Sequence, residues 1–544
     1  MNLNPDPHTD PAPEPQSNPQ SHSQSSSESS LGPSLGAATA PTSSKALSPR
    51  LAAGLVFITS GAVLVLEIVG LRLVAPYVGV TLQSNTAVIG VTLTAIALGA
   101  WLGGRLADLI DPRRMLAPAI LLGAGTTALT LPLVRYAGEA LRGTDPAAVL
   151  LVALLTLFAP ALLLSSVTPM VVKLQLGDLR RTGTVVGKLS GIGTLGSITA
   201  TFGTGFVLVA ALPSSVIVLS LAALLLIVGI ALAVHLRVLT RRAGAEGSHS
   251  DRQTTAVAMV LALFGTGFTL AAPNPCDVET AYHCASVEPD PDHRTGRLLV
   301  LNSGWHSYVD LADPQYLEFD YTQMIASVAD VMRPAGEPLR TLHIGGGGFT
   351  LPRYLAATRP GSHTRVLEVD QGVVDLDRAE LGLVTGPDLQ VWVGDGRVGL
   401  AQEADAQRDL VIGDAFGHLT VPWHLTTREA IEEIHRILTP QGIYAMNVID
   451  GPPNRFLRAE LATVAEVFRY MALISTPEGV AEEETENFVL VASDAPLPVE
   501  AVRDRLAERD TEAVVLAGDQ LREFIGDADP LTDDYAPVDQ MLGR

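Results

Sequence analysis

The chain has 544 residues, more than a single domain usually holds. Hydrophobic residues make up 47% of it and charged residues only 17%, a balance typical of membrane proteins. The formal net charge of -22 argues against nonspecific binding to nucleic acid, so no nucleic-acid partner is expected. Two cysteines, Cys276 and Cys284, are too few for a disulfide scaffold, although they could form one bridge.

Residues 1–49 are rich in Ser, Pro, Gln and Asn, with almost no bulky apolar side chain before Leu31. Such a segment cannot bury enough apolar surface to offset the entropy of ordering it, so a disordered tail is predicted. No apolar run follows a basic start within the first 30 residues, and the tail is therefore not interpreted as a signal peptide.

Residues 50–272 are predicted to be a transmembrane region, with the lipid bilayer as a partner. Crossing a bilayer takes about 20 apolar residues. Seven stretches of sufficient length follow one another, and buried helices of a water-soluble protein would not explain so many. They are 51–70, 86–107, 114–134, 147–172, 187–212, 214–236 and 254–272. The protein is therefore expected to be a multi-pass protein of the cell membrane.

The side of the membrane on which the C-terminal half lies stays open at this point. Lys and Arg follow the second, fourth and sixth stretches, which predicts that these loops and the N-terminal tail are cytoplasmic. With seven spans the C-terminal half would then lie outside, in conflict with the supply of a cytoplasmic nucleotide. Either one span is miscounted, the seventh being the weakest, or the C-terminal half is outside, as the cysteine pair mildly favours.

Glu67 lies inside the first apolar stretch, where a charged side chain is costly and often functional. Two interpretations are open. Glu67 could serve transport or proton movement, or it could lie near a helix end or pair with Arg72.

After residue 272 the pattern changes from long apolar stretches to short ones. Residues 273–335 contain β-like pieces and are predicted to form a small β-rich part. From residue 336 to residue 544 strands alternate with helices, which predicts a mostly parallel sheet covered by helices, a Rossmann-like α/β domain. The predicted strands are 341–344, 365–369, 389–393, 409–413, 442–448 and 487–492.

The segment from Thr341 to Asp370 has the pattern of a nucleotide pocket. A buried strand precedes four glycines, Gly345 to Gly348, and a helix is predicted to begin near Thr350. The next strand ends at Glu368 and Asp370, about 20 residues on, where a carboxylate can accept hydrogen bonds from ribose hydroxyls. The pattern fits the dinucleotide fingerprint poorly, and a mere turn is the alternative.

Polar groups follow four of the predicted strands. The glycines Gly345, Gly346 and Gly347 follow the first, Glu368 and Asp370 the second, Asp395 with Gly396 the third, and Asp414 the fourth. Because ligands of such sheets bind beyond the carboxyl ends of the strands, these groups are expected to meet at one pocket.

Several separate motifs resemble the spermidine synthase, or polyamine aminopropyltransferase, family, and specifically its membrane-fused bacterial branch. They include LEIVGLRLVAPYVG at 66–79, LGAWLGGRLAD at 98–108, LVLNSGWHSYVDLADPQYLEFDY at 299–321, the glycine loop, GDGR, GDAF and TDDYAPVDQML at 532–542. The order of the glycine loop and the acids is also that of class I methyltransferase-type folds. The resemblance covers nearly everything after the tail.

The resemblance implies transfer of an aminopropyl group from decarboxylated S-adenosylmethionine, as co-substrate, to a small amine such as putrescine. Carried over by position, Glu368 would bind the ribose, Asp395 and Gly396 the adenine, and Asp414 would accept the proton of the attacking amine. His306 stands where the family has a cofactor-contacting glutamine, and Pro422 where a proline lines the adenine site. Tyr321 matches the tyrosine of the family's Tyr-His-Glu motif and would contact the amine.

The sequence departs from the family at positions that bind the amine. Gly348 and Gly417 stand where the family has aspartates, and Thr322 and Gln323 replace the family's His-Glu. Because each change removes a partner for a cationic amine, the polyamine pocket is expected to be eroded while the nucleotide pocket is kept. Asp533 and Asp534 could supply replacement charge if the C-terminal segment folded over the site, although a solvated tail is the preferred interpretation.

The histidines show no metal-binding spacing with cysteine or acid, so no metal is predicted. His418 and His424 lie near Asp414 in sequence and could affect proton transfer, but surface loop histidines are the favoured interpretation. Three functions remain at this point: an aminopropyltransferase-like enzyme, an S-adenosylmethionine-dependent methyltransferase, and a non-catalytic transporter or sensor that binds an adenosyl nucleotide. The sequence identifies neither the amine nor the oligomeric state, and a homo-oligomer is compatible with it.

Overall fold

A computed structural model describes residues 47–79, 81–141, 145–176, 179–242, 249–271, 276–302, 304–415 and 422–542. The N-terminal part of these residues is a helix bundle. Its helices are α1 (Pro49–Val78), α2 (Leu82–Leu109), α3 (Pro112–Ala140), α4 (Pro146–Ser165), α5 (Val167–Gln175), α6 (Thr182–Gly203), α7 (Val209–Ala211), α8 (Ser214–Arg242) and α9 (His249–Ala271). Residues 1–46 of the predicted tail lie outside the described residues.

Local sequence explains where the long helices begin. Ser48, Asp111 and Asp145 each accept a hydrogen bond from a first-turn amide through the side chain, and a proline follows each of them. A side-chain acceptor at the cap and a proline in the first turn both suit a helix N-terminus, because the first four amides have no partner within the helix.

Six helical segments of the described chain are long and apolar enough to cross a membrane, one fewer than the seven stretches predicted. They are Pro49–Val78, Leu82–Leu109, Pro112–Ala140, Pro146–Gln175, Thr182–Leu208 and Ser214–Leu239. The seventh stretch, 254–272, does form a helix, α9, but its apolar part, Gln253–Thr269, is shorter than the other six. Length and composition therefore support six spans, and a seventh crossing by residues 254–272 stays a prediction.

Arg72 and Glu67 do not form an ion pair with each other within the described chain. The Arg72 guanidinium instead donates to the backbone carbonyl of Val209 within the bundle and to those of Thr280 and Ala281 in the C-terminal half. The last two bonds join the bundle to the C-terminal half.

The C-terminal half, residues 276–542, contains two sheets. A four-stranded antiparallel sheet is formed by β1 (Val278–Glu279), β2 (Cys284–Pro289), β3 (Gly296–Leu301) and β4 (Gly304–Asp310). Cys276 and Cys284 form a disulfide beside β1, with their Cα atoms 5.3 Å apart. The bridge that the sequence left open is therefore present.

The larger sheet has eight strands in the order β12-β10-β11-β9-β8-β5-β6-β7. Strands β5 to β9 run parallel, and β9, β11, β10 and β12 pair antiparallel. The strands are β5 (Arg340–Ile344), β6 (His363–Glu368), β7 (Leu389–Val393), β8 (Arg408–Gly413), β9 (Leu438–Asp450), β10 (Tyr470–Ser475), β11 (Glu486–Ser493) and β12 (Val514–Ala517). The α/β domain is thus confirmed, while β10 and β12 were not predicted.

Helices cover this sheet on both faces. They are α10 (Asp320–Val331), α11 (Thr350–Thr358), α12 (Gln371–Glu380), α13 (Gly396–Leu400), α14 (Arg428–Ile437), α15 (Arg455–Ala465), α16 (Pro477–Val480), α17 (Val499–Glu508), α18 (Asp519–Ile525) and α19 (Val538–Met541). One buried cluster includes Leu342, Val411 and Phe456, and a second includes Ile325, Leu410 and Ile443. Apolar side chains on both faces fix the parallel strands, so their carboxyl ends are held rigidly at one edge.

Candidate active site

A cavity of about 840 Å³ lies at the carboxyl ends of the parallel strands, under the edge of the small sheet. This position is the one expected for ligands of such sheets. Most of the predicted site residues line it. They are Gly345, Gly346, Gly347, Glu368, Asp395, Gly396, His306, Pro422, Tyr321 and Asp414.

The glycine loop has a conformation that depends on glycine. Gly345 has φ +96°, and a Cβ there would lie 2.1 Å from the backbone oxygen of Asp414. Its amide donates to the Leu367 carbonyl at 2.8 Å, which ties the loop to β6. The backbone therefore passes close to the cavity with no side chain in the way.

Glu368, at the end of β6, lines the cavity although it is only 8% exposed. Its two carboxylate oxygens accept from the amides of Gly346, at 2.8 Å, and Asp370, at 2.9 Å. Burial raises the pKa of Glu368, and these amide bonds oppose that rise. The two bonds fix the carboxylate in one orientation beside the glycine loop.

Asp370 does not line the cavity, which corrects its prediction as a cofactor-binding residue. Its side chain is fully buried, and its Oδ1 caps α12 by accepting from the Gly372 amide at 2.9 Å. Its Oδ2 accepts from the hydroxyl of Thr280 in the loop between the two cysteines. Both oxygens are thus engaged within the protein, and Asp370 supports Glu368 instead of facing a ligand.

Asp395 lies at the start of α13. One of its carboxylate oxygens accepts hydrogen bonds from amides of this helix, and the other contacts a histidine. Its Oδ1 accepts from the amides of Arg397, at 2.9 Å, and Val398, at 3.2 Å. Its Oδ2 is 2.9 Å from Nε2 of His424, which also lines the cavity. His424 therefore forms part of the cavity wall and contacts Asp395, while 34% of its side chain stays exposed. His418 lies outside the described residues.

Asp414 follows β8 and points into the cavity. Its Oδ1 accepts from the Asn447 amide at 2.9 Å, and its Oδ2 accepts from the Tyr321 hydroxyl at 3.2 Å. Burial raises the pKa of Asp414, and the bonds from Asn447 and Tyr321 oppose that rise. Burial also raises the pKa of Tyr321 well above its usual value, so the phenol stays protonated and donates. Asp414 is consequently a well-oriented carboxylate with enhanced basicity.

Asn447 and its partner Asn487 were missed in the sequence. The Asn487 side-chain amide donates to Oδ1 of Asn447 at 2.9 Å, which orients the Asn447 amide so that it donates to Asp414. A usable signal existed, because Asn447 is the only polar residue in the run from Ile443 to Val448 apart from the Tyr444 hydroxyl. A buried amide within an apolar strand needs a partner, and that partner can be a catalytic group.

Four residues were predicted to depart from the family at the amine-binding positions, and those that the structure describes lie in different places. Thr322 and Gln323 lie in the first turn of α10, where they donate to the carbonyls of Phe319 and Leu317 at 2.6 and 3.0 Å. Neither lines the cavity. Gly417 lies outside the described residues.

Gly348 is closed off by a side chain of the small sheet. Its amide donates to Oγ of Ser307 at 3.0 Å, and a Cβ at Gly348 would lie 2.9 Å from the Ser307 Cβ and 3.0 Å from Cγ2 of Val309. An aspartate does not fit there unless these neighbours move.

Up to residue 542, where the description of the chain ends, the C-terminal segment supplies no charged side chain to the cavity. Asp533 accepts from the Thr427 hydroxyl at 2.6 Å and pairs with Arg397 at 3.2 Å, and neither Asp533 nor Asp534 lines the cavity. Other acids do line it, and the sequence did not single them out: Glu318, Asp320 and Glu486. Burial, which is the largest cause, and nearby acids raise the pKa of Glu486.

Comparisons with known proteins cover part of the chain. A polyamine aminopropyltransferase of Vibrio vulnificus (strain CMCP6) is 28% identical over 174 residues, which are 32% of this chain and 56% of the relative. A probable polyamine aminopropyl transferase of Bifidobacterium longum (strain NCC 2705) is 28% identical over 221 residues, 37% of this chain and 48% of the relative. The chain therefore spans about half the length of these curated relatives.

Among solved structures, a probable spermidine synthase from Corynebacterium glutamicum is 30% identical in sequence. The match covers 48% of this chain and 97% of that synthase, with a TM-score of 0.45. No protein-family model matches the chain.

Proposed function

The chain belongs over about half of its length to the spermidine synthase, or polyamine aminopropyltransferase, family, and from this premise we propose that it is a membrane-bound aminopropyltransferase. The proposed reaction moves an aminopropyl group from decarboxylated S-adenosylmethionine to a small amine such as putrescine. The observation that carries the proposal is Asp414, held by Tyr321 and Asn447 inside the cavity that the glycine loop also lines.

The nucleotide side of the cavity suits an adenosyl group. The glycine loop lets the ligand approach the backbone, and Glu368 presents a fixed carboxylate to ribose hydroxyls. Asp395, Gly396 and Pro422 line the same cavity and are assigned to the adenine. In this proposal His306 contacts the nucleotide from the small sheet.

The transfer step requires a base, which accepts a proton from the attacking amine, and does not require a strong acid. The lone pair of the amine nitrogen attacks the carbon attached to the sulfonium, the carbon–sulfur bond breaks, and its electron pair stays on sulfur as neutral methylthioadenosine. The nitrogen loses one proton, which Asp414 accepts. Its raised pKa brings this carboxylate closer to the working pH, where a general base is most effective.

The acceptor side of the cavity carries a different set of charges from that of the family. Ser307 closes the position at Gly348, while Glu318, Asp320 and Glu486 line the wall near Tyr321. Carboxylates stabilise a cationic amine, so these three acids are proposed to hold the far ammonium of the acceptor.

The six long apolar helices support a multi-pass location in the cell membrane. The bundle and the C-terminal half are joined by side-chain contacts, including Arg72 to the carbonyl of Thr280 at 3.1 Å. The enzyme is therefore proposed to work while attached to the bilayer.

Methyl transfer from S-adenosylmethionine is the second candidate, and the closed position at Gly348 favours it. In the family that position holds the acid for the amine of the aminopropyl group, which a methyl donor does not transfer. The two reactions leave different nucleotides, methylthioadenosine and S-adenosylhomocysteine, so their products separate them.

The test uses the full-length protein in detergent or lipid nanodiscs. Calorimetry with methylthioadenosine, S-adenosylmethionine and its decarboxylated form is expected to show the tightest binding for the aminopropyl donor or methylthioadenosine. Incubation with putrescine, spermidine or cadaverine is expected to release methylthioadenosine. Absence of binding by all three nucleotides would defeat the proposal, and release of S-adenosylhomocysteine would favour the second candidate.

A further inference from the structure

The loop between the two cysteines touches both the helix bundle and the cavity. We call residues Cys276 to Cys284 the bridged loop. It is closed by the disulfide and by pairing of Glu279 with Cys284 in β1 and β2. A short loop closed in two ways has few alternative conformations. A displacement of one side of the loop is therefore expected to displace the other side as well.

On its inner side the bridged loop supports the nucleotide wall. The Thr280 hydroxyl donates to Oδ2 of Asp370, and the Asp370 amide donates to Oε1 of Glu368 at 2.9 Å. Thr280 is 9% exposed and Asp370 is fully buried, so water does not replace the Thr280 hydroxyl easily. Tyr282 and His283, the next residues of the loop, line the cavity themselves.

On its outer side the same loop is held by the bundle. Arg72 of α1 donates to the Thr280 carbonyl at 3.1 Å and to the Ala281 carbonyl. The Glu279 carboxylate accepts from the Ser215 amide, in the first turn of α8, at 3.0 Å. A carboxylate at a helix N-terminus is stabilising, because the first amides of the helix are unpaired.

We propose that the bridged loop is a positioning element through which α1 holds the nucleotide wall, so that the helix bundle sets the affinity of the cavity for its nucleotide. The inference rests on the proposed binding of an adenosyl nucleotide. Thr280 makes both contacts: its carbonyl accepts a hydrogen bond from Arg72, and its hydroxyl donates one to Asp370. Coupling of this kind is reciprocal, so a bound nucleotide also strengthens the contact between the loop and the bundle.

The test measures methylthioadenosine binding by the full-length protein. Arg72→Ala and Thr280→Val are each expected to weaken binding at least about fivefold, the lower end of ordinary coupling between sites. Thr280→Ser keeps the hydroxyl and is expected to restore affinity. The matched controls are Arg105→Ala, whose guanidinium stacks on Trp101, and Thr295→Val, which removes another Thr–Asp hydrogen bond, of 2.9 Å to Asp310, away from the cavity.

A second measurement separates positioning from loss of fold. Methylthioadenosine is expected to slow hydrogen exchange in the bridged loop and the adjoining end of α1 of the wild type. In Arg72→Ala the protection of α1 should disappear while that of β6 remains. Wild-type affinity in both Arg72→Ala and Thr280→Val would overturn the inference. A wild type that binds no nucleotide would instead defeat the proposed function.

A different observation, the distribution of basic residues, bears on the side of the membrane. One end of the bundle carries most of them: Arg50, Arg105, Arg113, Arg114, Lys173, Arg180, Arg181, Lys188 and Arg237. Among the described residues, the opposite end has only Arg72 and Arg135. The contacts to the C-terminal half are at this opposite end, since Arg72, the Ser215 amide and the Leu82 amide, 3.4 Å from Asp539, all lie there.

Helix α9 connects the two ends. It has 23 residues, or about 35 Å of helix, and runs from the basic end to the residues just before Cys276. It packs closely along α3, because a Cβ at Gly125 would lie 2.7 Å from the Ala262 Cα, and the Thr269 hydroxyl donates to the Ala128 carbonyl at 2.7 Å. In this geometry α9 crosses the bundle as a seventh segment, despite its shorter apolar part.

We infer that the C-terminal half, with its cavity, lies on the side of the membrane away from the cytoplasm, given the membrane location proposed above. Basic loops mark the cytoplasmic side, and the cavity is at the other end. The Cys276–Cys284 disulfide agrees, because disulfides persist in oxidising compartments. The nucleotide and the amine would then meet the enzyme outside the cytoplasm.

Reporter fusions decide this point in the full chain. Alkaline phosphatase fused after Arg544 is expected to be active and a green fluorescent protein at the same place dark. Fusions after Asp111, between α2 and α3, should give the reverse pattern. Fluorescence without phosphatase activity at Arg544 would overturn the inference, whereas loss of the protein from the membrane fraction would instead contradict the proposed location.

Discussion

Replacement of Asp414 by Asn tests the proposed base directly. In the structure the carboxylate accepts from two donors, the Asn447 amide at 2.9 Å and the Tyr321 hydroxyl at 3.2 Å. The amide of Asp414→Asn has one acceptor oxygen, which can keep the Tyr321 bond. Its NH₂ group would then face the NH₂ of Asn447, unless Asn447 turns over and gives up its bond to Asn487.

The magnitude follows from what is lost. General-base catalysis contributes roughly 10²–10⁴-fold, or about 3–5 kcal/mol in the activation free energy. The Asp414→Asn variant is therefore expected to release methylthioadenosine about 10²–10⁴-fold more slowly at saturating substrates. Its affinity for methylthioadenosine should stay close to that of the wild type, because the nucleotide is assigned to Glu368 and Asp395.

The assay combines product release, followed by chromatography, with calorimetry of methylthioadenosine binding. Asp395→Asn is the matched control, an acid-to-amide change in the same cavity that is expected to weaken nucleotide binding and to affect turnover less. An Asp414→Asn enzyme with wild-type turnover would refute the base. One that mainly loses affinity for the nucleotide would make Asp414 a ligand-positioning residue.

Three further predictions follow from the same geometry. Asn447→Ala removes a bond that lowers the pKa of Asp414; since only the carboxylate form accepts a proton, the acidic limb of the pH profile of kcat/KM should move to higher pH, and a move to lower pH would contradict this. Gly345→Ala should abolish methylthioadenosine binding because its Cβ would meet the Asp414 carbonyl, whereas Gly336→Ala, also at positive φ (+81°) but in open space, should bind as the wild type. Asp377 is fully buried, and burial raises its pKa from 3.8 to about 8, so its contribution to stability is present at acid pH and is lost as the pH rises from about 4 to 8. Asp377→Asn should accordingly raise the thermal unfolding midpoint above pH 7, and a midpoint that falls equally at pH 5 and pH 8 would refute the reasoning.

The parallel strands could be predicted because their burial is visible in the sequence as short apolar runs. Short apolar runs such as Val366–Leu367 and Leu410–Ile412 are buried, and an acid, Glu368 or Asp414, comes after each of them at the same edge of the sheet. Joint placement of Glu368, Asp395 and Asp414 follows from that rule alone. The same rule does not predict the hydrogen-bond partners of Asp414, because Tyr321 and Asn447 come from other elements of the chain.

Asp370 shows why position along a strand is not enough. It stands two residues after Glu368, and both acids were predicted to belong to the nucleotide pocket. Its orientation is decided by a first-turn amide of α12 and by Thr280, which is 90 residues away in sequence. A contact of that separation has no local signature, so the sequence could not distinguish the two acids.

The altered amine pocket also has a physical origin that sequence alone does not show. Loss of the acid at Gly348 looks like simple erosion, yet the space is filled, since Ser307 accepts the Gly348 amide and leaves no room for a larger side chain. Meanwhile Glu318, Asp320 and Glu486 bring carboxylates to another part of the same wall. A cationic acceptor would be drawn to where these charges lie, at the acceptor side near Tyr321 and Asp414. In the proposed enzyme the site would therefore keep the base and the nucleotide wall, while the charge that selects the amine would lie in a different part of the wall.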